Sequence, residues 1–99
     1  MPRRRSARVQ IGDQWWTVRR GKVPDFPKGK KNWGLCEPNT RTITVDEALD
    51  GVDLLTILIH EMVHARWWCL AEEEVTEFAE EVAPVLAVFG FHDEDKADG

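Results

Sequence analysis

Two histidines four residues apart, His60 and His64, bracket the string His60-Glu61-Met62-Val63-His64. On a helix, residues i and i+4 share a face one turn apart, so both imidazoles reach one tetrahedral Zn2+. Glu61 then lies beside the ion rather than on it, placed to accept a proton from a zinc-bound water whose pKa is lowered to roughly 7. Two ligands and a general base are the elements of metal-assisted hydrolysis. The string falls inside an apolar helical pattern, Leu54, Leu55, Leu58, Met62 and Ala65. There, a His, a Glu and a His with no shared task carry a desolvation cost. The alternative is a half-exposed pair of imidazoles beside a solvated Glu61.

A third protein ligand has to come from further along the chain. His92 sits in a polar tail behind Gly90, a poor place to hold a fixed geometry. Glu72, Glu73 and Glu74 open the next helical pattern, and an antiparallel helix after the short connector Arg66 to Leu70 brings its first turn back toward the metal. On a helical projection Glu72 and Glu74 flank the Val75/Phe78/Ala79 stripe and Glu73 points nearly opposite, which ranks them Glu72, Glu74, Glu73. All three also complement the positive end of the helix dipole, and for two of them that is the whole role.

The elements that must carry these residues are legible from periodicity and turn chemistry. Asp53 as N-cap predicts a helix running to about Trp68. A second helix is expected from about Ala71, apolar on Val75, Phe78, Ala79, Val82 and Leu86, kinked or broken at Pro84 and ended by Gly90. Val9 to Arg19 reads as a hairpin about Gly12-Asp13 with Val9, Ile11, Trp16 and Val18 facing inward. Trp33 to Glu37 and Thr42 to Val45 read as a second hairpin about Pro38-Asn39-Thr40-Arg41. Between them Gly21 to Asn32, with Pro24, Pro27 and the cluster Lys28-Gly29-Lys30-Lys31, is a surface loop. Trp15-Trp16 and Trp67-Trp68 are core anchors, with one ring per pair available to a groove or partner surface. The fold class expected is α+β: a small antiparallel sheet of two hairpins packed on two main helices. Residues 9–90 form the single domain, 1–8 a flexible basic arm and 91–99 a disordered acidic tail.

A chain of 99 residues supports one core. The longest uncharged apolar run, Leu54 to Ile59, is far short of the ~20 residues that cross a bilayer, and no apolar stretch follows the first arginines, so neither insertion nor secretion is expected. Cys36 and Cys69 read as reduced thiols of a cytoplasmic protein. Charge is split: residues 1–31 hold ten Lys/Arg against Asp13 and Asp25, and residues 32–99 hold three against sixteen acids. Such a split serves either a basic arm, Arg3, Arg4, Arg5 and Arg8, contacting nucleic acid or an acidic partner, or two halves of one fold attracting each other. The second is preferred.

The segment LLTILIHEMVHARWWCLAEEEVTEFAEEVA resembles the active-site helix and following helix of small zincin-type metallopeptidases from phage and bacteria, related to the SprT-like and ImmA/IrrE groups. The upstream WGLCEPNTRTITV resembles the strand pair before the motif helix, so the likeness covers residues 33–86. It implies a minimal zincin-like domain, a protein or peptide substrate, Zn2+ as cofactor, His60 and His64 as ligands and Glu61 as catalytic base. Glu72 matches the acidic position of the minimal phage-type proteins, whereas aligning Glu74 to Ala79 on the ImmA-type helix selects Glu74. The bulky connector Arg66-Trp67-Trp68-Cys69 departs from the smaller, turn-forming connector usual in those groups. The competing reading is a non-catalytic, zinc-containing module that contacts nucleic acid or an acidic protein through its basic first third.

Overall fold

β1 (Ser6–Ile11) and β2 (Gln14–Gly21) form the first hairpin, in register from Ser6 opposite Arg19 to Ile11 opposite Gln14. The structure, a computed structural model, describes residues 5–25 and 29–91; Arg3, Arg4, Lys28, His92 and the rest of the acidic tail lie outside the described residues. Gly12 takes φ 65 in the two-residue connection, the left-handed value such hairpin turns favour and glycine adopts without a Cβ clash. Alternation sends Ile11 and Trp16 into the core, with Val9 and Val18 packed against them, the four positions marked by the period-2 pattern. The strand begins at Ser6 rather than Val9, so residues 6–8 of the expected arm are sheet. Ala7 and Arg8 extend the ladder against Val18 and Thr17, because backbone pairing along an existing partner needs no apolar side chain.

β3 (Gly34–Glu37) and β4 (Thr42–Asp46) form the second hairpin, its turn closed by Arg41 N donating to Pro38 O at 3.2 Å with Arg41 at φ 51. The strand order is β1-β2-β4-β3, and β2 pairs with β4 in parallel. The sheet is therefore mostly antiparallel, with one parallel seam where two antiparallel hairpins were expected to meet. β3 lies at the far edge of the sheet, across β4 from β2, which leaves β4 in the interior, where Ile43 and Val45 are 0% and 2% exposed. Asp46 holds the residues that lead into β3: its amide donates to Trp33 O at 2.8 Å and its Oδ2 accepts from Lys31 Nζ at 2.7 Å. Arg5 pairs with Glu47 at 2.8 Å, and Arg20 donates to Leu49 O at 2.6 Å, so part of the basic first third is held by the segment after β4.

α1 (Gly51–Arg66) covers one face of the sheet, packing Leu54, Ile57, Leu58, Met62 and Ala65 on the Ile11/Trp16/Ile43/Val45 cluster. Its N-cap is Asp50 rather than Asp53, with Leu54 N donating to Asp50 O at 3.2 Å. It stops at Arg66 rather than Trp68, since Trp67 still donates to Val63 O but leaves the helical region at φ −133, ψ 69. α2 (Glu72–Val88) packs on α1 and not on the sheet, giving layers in the order sheet, α1, α2. Val75, Ala79 and Ala83 are fully buried in that contact, and the two alanines let the helices approach closely. α2 runs unbroken through Pro84. Pro84 and Glu80 both lie on exposed surface, where water can take the carbonyl left by the missing N–H. No helix among the described residues is long and apolar enough to cross a membrane.

Candidate metal centre

His60 and His64 sit one turn apart on the side of α1 that meets the start of α2. Their Nε2 atoms are 3.1 Å apart, with ring centroids at 4.7 Å and planes at 70°. Glu72, the first residue of α2, closes the set: Oε1 lies 2.9 Å from His60 Nε2 and Oε2 lies 3.0 Å from His64 Nε2. Donor atoms of a tetrahedral Zn2+ with bonds near 2.0–2.1 Å are separated by about 3.3 Å. Taking one donor atom from each residue, the two Nε2 atoms and a Glu72 oxygen lie within 4.8 Å of one another, close enough for the three side chains to share one ion. Two imidazoles and a carboxylate are also the donor chemistry that zinc takes. The Glu72 side chain is 67% exposed, so the cluster reaches solvent on the α2 side.

Protonation favours the same arrangement. Burial, the largest influence, together with the neighbouring His64 lowers the His60 pKa against the opposing pull of Glu72, toward the neutral imidazole that a metal ligand must be. Glu61 is buried at 8% exposure, and that burial, followed by the charge of Glu72, pushes its carboxyl up to about 7. The Glu61 carboxylate lies against β3 at Gly34, where only a residue without a Cβ leaves it room.

The donors open into a cleft of about 440 Å3. One wall is the edge strand β3 with the residues that lead into it, Lys31 to Cys36; the other is α1 from Ile57 to His64, with Trp68 at the rim. Cys36 is half-buried in this wall, its thiol pushed up to about 11 by burial and then by Glu61 and Glu37, so it presents a neutral S–H rather than a thiolate. Cys36 and Cys69 are both free.

Of the three glutamates weighed as third ligand, Glu72 is the one that meets the imidazoles. Glu74 turns back to accept from Ala71 N at 3.3 Å, the half of a capping box that an alanine N-cap allows, and Glu73 is exposed. The tryptophan pairs divide unequally. Trp16 is core and Trp15 is 53% exposed, but Trp67 and Trp68 are both exposed, at 49% and 81%. α1 ends before them, so they ride on the connector instead of a helix face; Arg66 lies over the Trp67 ring at 4.9 Å. No protein-family model, curated protein or solved structure matches this chain, so its site rests on geometry and chemistry.

Sequence reasoning passed over Gly34 and Lys31. A glycine after a tryptophan at the head of a β-favouring run signals close backbone approach, and the readable clue for Gly34 was there. Lys31 lay inside a basic cluster, with no local sign that it alone would reach Asp46.

Proposed function

We propose that this protein is a zinc-dependent metallopeptidase. The observation that carries the reading is the meeting of His60 Nε2, His64 Nε2 and the Glu72 carboxylate beside a buried Glu61, at the base of a cleft walled by an edge strand. His60, His64 and Glu72 hold the ion. When bound, Zn2+ polarises a carbonyl and brings the pKa of water to roughly 7. Glu61 takes a proton from the attacking water as its oxygen bonds to the scissile carbonyl carbon, and delivers that proton to the amine as the C–N bond breaks. An extended substrate pairs with the outer edge of β3, as peptides do on open sheet edges. Free thiols at Cys36 and Cys69 accord with a cytoplasmic location.

Elemental analysis of the purified chain, with hydrolysis of a quenched unstructured peptide, tests this directly. About one zinc per chain is expected, with Glu61→Gln keeping zinc and losing hydrolysis. Sub-stoichiometric zinc, or a Glu61→Gln variant as active as wild type, overturns the reading.

The second reading, a non-catalytic module that contacts nucleic acid, draws on the first hairpin. There Arg8 lies 5.9 Å over the half-exposed Trp15 ring, a stacking platform with a charge beside it. It requires salt-dependent binding of single-stranded DNA that Trp15→Ala weakens.

A further inference from the structure

α2 is apolar on two faces, and α1 covers one of them. Phe78, Val82, Val85 and Phe89 recur at i, i+4, i+7 and i+11, a single stripe along the helix and just past its end. Phe78, Val85 and Phe89 are 49%, 55% and 75% exposed. Near the start of this stripe Phe78 joins Val63, Trp67, Leu70 and Glu74 around an apolar hollow of about 420 Å3, large enough for a leucine or aromatic side chain. Stripe and hollow together form a groove along the α1–α2 pair, of the kind that receives an amphipathic helix. From Phe78 to Phe89 the rise is about 16 Å at ~1.5 Å per residue, which matches a partner of three to four turns.

Charge decides what fits. At roughly 100° per residue, buried Val75, Ala79 and Ala83 fall on one side of the stripe, and exposed Glu74, Glu77 and Glu81 fall on the other. α2 carries six glutamates and neither Lys nor Arg. A second copy of α2 would set glutamate against glutamate, and the chain's own residues 92–99 bring four acids with one lysine, so both have the wrong sign. We infer that this groove binds an amphipathic helix of a partner protein that is rich in Lys and Arg along one border and seats a large apolar side chain in the hollow beside Phe78. The inference does not rest on the peptidase reading.

The test uses the full chain and a fluorescein-labelled helical peptide of about 14 residues, Leu and Phe on one face and Lys on its flanks, followed by anisotropy. Two companions carry the same apolar face with Glu for Lys, and the lysine peptide's residues in scrambled order. Expected is binding of the lysine peptide that weakens as salt rises, with both companions at least roughly tenfold weaker. Phe78→Ser/Phe89→Ser should lose roughly tenfold or more, since a few apolar anchors carry most of the binding. Should that variant fail to fold, the exposed pair Glu77→Lys/Glu81→Lys should reverse the preference between lysine and glutamate peptides. No binding by wild type, equal affinity for the lysine, glutamate and scrambled peptides, or sedimentation of the wild-type chain as a dimer that Phe89→Ser dissociates would each overturn the inference, the last by giving the groove to a second copy.

Discussion

Gly34 of β3 and Glu61 of α1 meet without space between them: a Cβ at Gly34 would lie 2.8 Å from Glu61 Oε2, and 2.7 Å from Ile57 Cγ2. Real Cβ atoms do not stand so close, so Gly34→Ala must part the edge strand from the motif helix or turn the Glu61 carboxylate aside. We expect Gly34→Ala to lose about 1–3 kcal/mol of stability by overpacking. Hydrolysis should fall further than stability accounts for. Urea unfolding beside peptidase assays at a temperature where both proteins are folded separates the two; a variant within about 0.5 kcal/mol of wild type shows that the seam yields easily.

Glu72 and Glu74 differ in what they touch, and their alanine variants should differ accordingly. Glu72→Ala removes the carboxylate that lies 2.9 and 3.0 Å from the two imidazoles, and zinc affinity should drop by well over roughly tenfold, the least that losing even an outer-shell partner costs. Glu74→Ala should keep its zinc and lose about 0.5–1 kcal/mol through the unpaired Ala71 amide at the head of α2. Competition with a chromophoric chelator measures the first and thermal unfolding the second. Equal zinc affinity in the two variants would remove Glu72 from the ligand set.

The acid limb of stability is assigned to Asp46. The bond from Lys31 at 2.7 Å, assisted by Ala48 N at 2.9 Å, holds its carboxyl below the ordinary value of 3.8. A carboxyl with a depressed folded pKa stabilises the protein above its unfolded value, and that contribution is lost as pH falls through the folded one. Asp46→Asn should therefore be less stable than wild type at pH 7 by about 1–3 kcal/mol, with the gap narrowing below roughly pH 4. Urea midpoints between pH 2 and pH 7 read this; a gap constant across the range would mean that the ion pair is not its source.

Thiol chemistry should separate the two cysteines. Cys69 is exposed on the connector, whereas Cys36 is half-buried beside Glu61 with its pKa raised to about 11. Only the thiolate attacks iodoacetamide, so at pH 8 Cys69 should be alkylated first. The Cys36 rate should climb about tenfold per pH unit toward its pKa. Peptide mass mapping after timed quenching follows both. Equal rates at pH 8 would contradict the burial that raises Cys36.

Local period and residue chemistry determined much of this protein without any knowledge of its fold. The spacing of His60 and His64, the inward alternation of Val9, Ile11, Trp16 and Val18, and the turns at Gly12-Asp13 and 38–41 are set within a few residues of chain, where helix and strand geometry act directly. Tertiary structure alone decided what depends on distant segments meeting. The helical projection places Glu72 ahead of Glu74, but that Glu72 meets the imidazoles while Glu74 turns back to the Ala71 amide depends on where α2 is set against α1. The parallel seam pairs β2 with β4, strands more than twenty residues apart, and Lys31 meets Asp46 at its end. That Trp67 and Trp68 face solvent while Gly34 must be glycine is equally non-local. A side chain's burial is fixed by the elements packed against it, and no period along its own strand or helix encodes where those elements come to rest.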